Sequence, residues 1–357
     1  MYVAGLLVGL VGLSFGAQRL RESDISTEGR YDYVVSIPDI HGDLDGLVRT
    51  LWMAKVEIDG TDLAGDFMAF QSNFVQAIQN GQVTKTFTPT KRVLVIQTGD
   101  IIDRGAASLS CYKAIWLVDR ILGWDLVNLI GNHEVMTMAG EADHYAHPGD
   151  VAEFGSLQAR RAAFSEGGPM WREIVDSFLF MVRVRMGESE SSLFVHAGLD
   201  ARWISRFYKD FEDLSRINQF LISELRKNPS SEILVSASSP IWTRGLAKDG
   251  DKSVCLRQLP KVLELAKVKR MVVGHTPQQT LTTAAKCDAT LILADVAMSR
   301  WMGSGKHGNP SALIFQLRDN GKRLERIYNV YWKGAKGEAV DQLIYQSETE
   351  NRAPLEL

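Results

Sequence analysis

Five short clusters of aspartate, histidine, asparagine and glycine, each placed directly after an apolar run, constrain this chain of 357 residues more than any other feature. In order they are Pro38-Asp39-Ile40-His41-Gly42-Asp43, Gly99-Asp100-Ile101-Ile102-Asp103-Arg104-Gly105, Gly131-Asn132-His133-Glu134, Val195-His196-Ala197-Gly198 and Gly274-His275-Thr276. The runs before them, Tyr33 to Ile37, Val93 to Ile96, Leu126 to Ile130, Leu193 to Val195 and Met271 to Val273, are short and apolar, and read as buried strands. A polar cluster at the carboxyl end of a strand is where α/β sheets bind ligands. Four of the seven histidines, His41, His133, His196 and His275, fall in these clusters. Glycines beside nearly every polar residue let the backbone turn sharply and approach an ion or a phosphate.

The rest of the chain supplies the scaffold. Leu44, Leu47, Val48, Leu51 and Trp52 recur at helical spacing, as do Ala114, Ile115, Val118 and Leu122 before Gly123. Further strands are expected at Phe178 to Val184, Thr290 to Leu293, Ala312 to Leu317 and Arg323 to Tyr328, with fewer helices between them. The predicted fold class is α/β, a mixed β-sandwich flanked by helices, with one main domain over residues 31–334. Residues 55–91 are polar and poorly periodic and read as an insertion. Residues 141–169, rich in small and polar side chains, read as a lid or loop region. Residues 19–30 read as a linker and 335–357 as a C-terminal tail. Residues 1–18 carry no charged side chain and precede Arg19 and Arg21. The arginines after the run favour an uncleaved anchor, and Ser14 and Gly16 suit a signal segment cleaved after Gly16; a mispredicted start or a buried helix is the less favoured reading. Membrane or endomembrane association is the expectation under the first two readings, and a cytoplasmic location otherwise.

Composition narrows the chemistry. Lys and Arg total 40 against 43 Asp and Glu, a formal charge of −3, so no global basic field exists for nucleic acid to follow. Cys111, Cys255 and Cys287 form no Cys-x-x-Cys pair, which excludes a thiolate zinc site and allows at most one disulfide. Asp, Asn and His donors instead suit Mn²⁺, Fe or Zn²⁺. His144 and His147, an H-x-x-H pair in the lid-like stretch, read as a solvated loop pair, and Glu134 as a structural ion-pair partner. Tyr328, Tyr331 and Trp332 read as core or edge packing.

At these clusters the sequence resembles the phosphoprotein phosphatase family of the calcineurin-like metallophosphoesterases. Gly131-Asn132-His133-Glu134-Val135-Met136, Glu166-Gly167-Gly168-Pro169 and Trp242-Thr243-Arg244-Gly245 look most like its Shewanella-like branch. The resemblance spans about residues 33–330 and implies a metallophosphatase, a phosphoric monoester hydrolase, acting on phosphoproteins. A small phosphoester or dinucleoside polyphosphate is the alternative substrate, and a pseudophosphatase binding module the non-enzyme reading. Asp39 and His41 match the ligands of a first metal, Asp100 a bridging carboxylate, and Asn132, His196 and His275 the ligands of a second. His133 matches the general acid and Asp103 its carboxylate partner. Arg104 matches a phosphate-binding arginine, and Arg244 is the choice for a second. The implied reaction uses two divalent ions, bridged by Asp100 and a shared hydroxide that attacks phosphorus in line. Pro38 stands where the family has glycine, and the Ser-Ala-Pro-Asn-Tyr-Cys motif of toxin-sensitive members is absent near Ala294-Asp295-Val296.

Overall fold

A computed structural model describes residues 20–60, 67–208, 213–302, 308–333 and 338–347. The uncharged segment 1–18 lies outside the described residues. Among those described, no helix is long and apolar enough to cross a membrane.

The strands, in chain order, are β1 (Asp24–Ser26), β2 (Tyr33–Ile37), β3 (Val93–Gln97), β4 (Asp125–Asn128), β5 (Met181–Arg185), β6 (Ser191–Val195), β7 (Arg270–Val273), β8 (Ala284–Lys286), β9 (Leu291–Leu293), β10 (Ser311–Arg318), β11 (Arg323–Lys333) and β12 (Glu338–Gln346). They form two six-stranded mixed sheets, ordered β1-β5-β6-β7-β9-β8 and β12-β11-β10-β2-β3-β4. Each sheet contains a run of three parallel strands: β6, β7 and β9 in the first, β2, β3 and β4 in the second. The fold is the α/β sandwich expected from the sequence.

Period-two alternation explains the layering. Val34, Leu94, Ile96 and Val127 of the second sheet share one buried cluster with Phe194, Val272 and Ile292 of the first. The rings of Phe194 and Phe315 meet edge-on across this layer at 5.5 Å. Their neighbours Val35, Val95, Val195 and Val273 point the other way, into the core shared with the helices. A fully buried side chain of this size contributes roughly 1.5–3 kcal/mol, so a one-residue slip of any central strand would be strongly disfavoured.

Four segments differ from the sequence reading. The supposed insertion begins inside the helix Leu44–Asp59 and contains a second helix, Phe67–Asn80, which buries Phe70, Phe74, Ala77 and Ile78. Residues 141–169 are not a loop: they hold the helices Pro148–Glu153 and Leu157–Phe164 and the start of Pro169–Ser177, with Arg160, Ala163 and Phe164 buried. The linker supplies β1, paired in parallel with β5. The tail supplies β12, whose antiparallel pairing with β11 extends the second sheet. Cys255 and Cys287 form the one disulfide allowed, with Cα atoms 5.2 Å apart, and Cys111 is buried.

Candidate metal centre

The parallel strands of both sheets end on one site. In the second sheet β2 leads to Asp39 and His41, β3 to Asp100, Asp103 and Arg104, and β4 to Asn132 and His133. In the first, β6 leads to His196 and β7 to His275. All of these except Arg104 are buried. His41, Asp100, Asp103, Arg104 and His275 have φ between 46° and 67°, the left-handed region that costs a non-glycine residue free energy. Five such residues at one site mark backbone held by its surroundings for a purpose. Close approach is also enforced by glycine: a Cβ on Gly131 would lie 2.1 Å from Asp100 Oδ1, and one on Gly274 2.4 Å from Asp39 Oδ1.

Two groups of donors converge. His41, Asp100 and His133 form one, and Asp100, His196 and His275 the other, with the donor atoms of each within 4.8 Å of one another. Asp100 belongs to both. Its Oδ2 lies 3.7 Å from His41 Nε2 and 3.5 Å from His196 Nε2. These gaps are too long for hydrogen bonds, but two donors each about 2.1 Å from a shared ion sit roughly 3.4 Å apart at the tetrahedral angle. Backbone carbonyls fix the rings: Ile102 O holds His41 Nδ1 at 3.0 Å, and Thr98 O holds His196 Nδ1 at 2.8 Å. With Nδ1–H donating, Nε2 presents a lone pair inward. At His196 that lone pair faces Asn132 Oδ1 at 3.0 Å, two acceptors that a shared cation would reconcile. His275 is turned the other way, its Nε2 against Trp242 O at 3.3 Å, which leaves Nδ1 free. Asp39 stands outside both donor groups and accepts the His275 backbone N–H at 3.0 and 3.2 Å.

Electrostatics favour a cation here. Burial, then the neighbouring His133, pushes His41 down to about 3, and burial pushes His275 down to about 2 and lowers His196. These rings are neutral, the form that binds metal. Burial raises Asp39 well above the usual carboxylate range, with Asp295 and Asp100 adding to the effect. Burial also opposes ionisation of Asp100, yet in the acid range, where the surrounding histidines carry charge, they outweigh it and hold its carboxyl low.

His133 sits beside this cluster with a different set of partners. Its Nδ1 pairs with Asp103 Oδ2 at 2.8 Å, and its backbone N–H donates to Asp100 Oδ1 at 2.9 Å. Burial disfavours the charged ring, but Asp100 and Asp103 together raise its pKa. Asp103 Oδ1 in turn accepts from Arg160 Nη2 at 2.5 Å, and Arg160 Nε donates to Asp150 Oδ2 at 2.8 Å. Among the described residues Glu134 has no cationic partner, contrary to the ion-pair role expected of it. Its carboxylate accepts the backbone N–H groups of Asp100, Ile101 and Gly131 at 2.8–2.9 Å, locking the loops after β3 and β4 together.

The rim is cationic and aromatic. The Arg104 guanidinium lies 4.9 Å from the Tyr145 ring centre, and its buried Nε has no partner among the described residues. Tyr145 also packs against the His133 ring at 4.9 Å and the His144 ring at 3.9 Å. Trp301, 42% exposed, stacks at 4.6 Å on His147. His144 and His147 belong to neither donor group, and His147 instead caps the helix Pro148–Glu153. Arg244 Nη1 donates to His275 O at 2.8 Å and to Thr276 Oγ1 at 3.2 Å, which ties it to the loop after β7. Arg160, Tyr145, Trp301 and Asp295 were not singled out for function from sequence. Only Asp295, directly after an apolar strand, carries the signal that marks the other clusters.

The sequence model of the calcineurin-like phosphoesterase family matches residues 33–279. The chain belongs to that family. It is therefore a phosphatase-type hydrolase with a metallophosphoesterase fold. Among similar proteins, an uncharacterised one from Schizosaccharomyces pombe is 25% identical over 84% of this chain and 87% of its own length. Shewanella-like protein phosphatase 1 of Plasmodium berghei is 22% identical over 80% of this chain and 74% of its own. The solved cold-active protein-tyrosine phosphatase of a psychrophilic Shewanella species superposes with a TM-score of 0.61 at 18% identity, over 92% of this chain and 83% of that one.

Proposed function

We propose that the protein is a metal-dependent phosphoprotein phosphatase in which Asp100 would be shared between two divalent ions. The reading rests on two donor groups that share one carboxylate, with His133 of the first group also paired to Asp103 and two arginines nearby. Asp39 and His41 would complete the first ion's ligands with Asp100, and Asn132, His196 and His275 the second's. His and carboxylate donors fit Mn²⁺, Fe²⁺ or Zn²⁺. When bound, such a pair supplies Lewis-acid polarisation of the phosphoryl group and an activated water as nucleophile.

The chain's own residues supply the rest. Arg104 and Arg244 hold the phosphoryl oxygens through forked N–H donors, and Tyr145 backs the Arg104 plane. His133, with Nδ1 engaged by Asp103, has Nε2 left to protonate the departing oxygen. No side chain needs to form a covalent intermediate. Tyr145, packed on both Arg104 and His133, would lie beside an aromatic leaving group, so phosphotyrosine is the phosphoamino acid expected to be preferred. Relatives bearing the names protein phosphatase and protein-tyrosine phosphatase support the same substrate class.

The test is metal content of protein purified without chelator, followed by turnover on phosphotyrosine, phosphoserine and phosphothreonine peptides and on dinucleoside polyphosphates. Two ions per chain and the highest kcat/KM on phosphotyrosine peptide are expected. Activity that survives complete chelation would reject the metal reading, and a preference for the nucleotides would reject the phosphoprotein reading.

A further inference from the structure

Six parallel strands converge on the site, and five of them deliver side chains already described. The sixth is β9, and it ends at Ala294-Asp295. In the first sheet Val195 pairs with Val273 and Val273 with Leu293, so His275 and Asp295 each stand two residues beyond paired positions of adjacent parallel strands. The register continues past the strand ends, since Gly274 N–H donates to His196 O and Ala294 N–H to Val273 O, both at 2.7 Å. Asp39, whose carboxylate accepts the His275 N–H, feels Asp295 as a nearby like charge.

Asp295 is 1% exposed. Its Oδ1 accepts the Ala297 N–H at 2.9 Å, across a turn in which Ala297 takes φ 52°. Its Oδ2 is equally buried and has no hydrogen-bond partner among the described residues. A buried carboxylate oxygen left unpaired is costly, and in native proteins it is satisfied by a donor or a cation. A structural Asx-type turn requires only Oδ1. An asparagine would serve that turn as well, without adding negative charge beside Asp39 and Asp100.

We infer that Asp295 is a further acidic residue of the metal centre, with its free oxygen directed to the cation held beside Asp39. It acts there as a positioning and charge-supplying group, and the sequence clusters rich in histidine gave no reason to include it. The inference rests on the two-ion reading above and is tested separately from it.

The experiment compares the wild-type protein with Asp295→Asn, which keeps the acceptor for Ala297 N–H, and with Asp295→Glu. Metal-stripped protein is titrated calorimetrically with Mn²⁺, and thermal unfolding is followed with and without Mn²⁺. Wild type is expected to bind two ions. In Asp295→Asn one ion should bind at least about tenfold more weakly, while the metal-free variant melts no lower than metal-free wild type because a buried repulsion has been relieved. Asp295→Glu should recover part of the affinity. Unchanged affinity for both ions in Asp295→Asn, or a metal-free variant that melts lower while its Mn²⁺ affinities stay at wild-type values, would assign Asp295 to the turn alone and overturn the inference. Should Asp295→Asn fail to fold, Asp295→Ser is read in the same way. Wild type that takes up no Mn²⁺, Fe²⁺ or Zn²⁺ would remove the two-ion centre and this residue's role in it together.

Discussion

Replacing Arg160 by Met tests whether the buried Asp103–Arg160–Asp150 chain holds the site together. Arg160 is 1% exposed and both carboxylates are 0% exposed, with Nη2 2.5 Å from Asp103 and Nε 2.8 Å from Asp150. Methionine fills similar volume but leaves Asp150 without its cation and Asp103 with His133 alone. Breaking a buried ion pair by removing one partner costs roughly 3–5 kcal/mol. At about 2 °C per kcal/mol, the lower end for long chains, melting should fall by about 6–10 °C. The loss should depend on pH with a definite sign. Burial already holds the Asp150 carboxyl above its usual range, and Arg160 opposes that shift. Without Arg160 the folded-state pKa rises further above the unfolded value. The folded variant then binds a proton that the unfolded chain has released, so its stability falls as pH rises above the ordinary carboxylate range. The deficit against wild type should be larger at about pH 8 than at about pH 5.5. Asp150→Asn in the Arg160→Met background should recover much of it. Calorimetric melts of wild type, both single variants and the double variant, each metal-loaded at the two pH values, would measure this. A deficit below about 1 kcal/mol at the higher pH, or one that does not shrink on acidification, would refute the reasoning.

His133→Asn should keep both ions and lose about 10²–10⁴-fold in kcat on a phosphoserine peptide, but much less on nitrophenyl phosphate, whose leaving group needs no proton. Because His133 also lies within one donor group, metal analysis of the variant decides between acid and ligand. Gly274→Ala should weaken cation binding at least about tenfold, because its Cβ would press on Asp39 Oδ1 at 2.4 Å. Titration of the metal-stripped variant checks this, and wild-type affinity would show that Asp39 does not need its present position.

The legible part of this chain was the part in which local chemistry and strand ends coincide. The apolar runs before Asp39, Asp100, Asn132, His196 and His275 are strands, and the clusters after them meet in space. Asp295 follows the three-residue strand β9 with no histidine or glycine beside it, so it offered only one of the two signals. Arg160 was hidden for another reason: its helix is short, capped by Ser156 and carries Arg160 beside Arg161, so a buried cation there looks like a solvated one until its two carboxylates are placed. β1 is three residues long and exists through its pairing with β5, which no local pattern encodes. In β12, Ala339, Val340, Leu343 and Ile344 come in adjacent apolar pairs rather than strict alternation, which hid a strand within an apparent tail.

The placement of β2 has a consequence for biosynthesis. This strand leads to Asp39 and His41 and is synthesised early, yet one of its two neighbours in the sheet is β10, residues 311–318. Every side chain assigned to the centre has been synthesised once residue 295 is added, when that neighbour does not yet exist. A chain stopped at this stage carries the complete donor set, but it exposes β2 as an open edge with Val34 and Val35 on its two faces, a template for pairing with other chains. Premature termination products should therefore aggregate rather than hydrolyse, and the enzyme comes into being only when the final hairpins close the sheet.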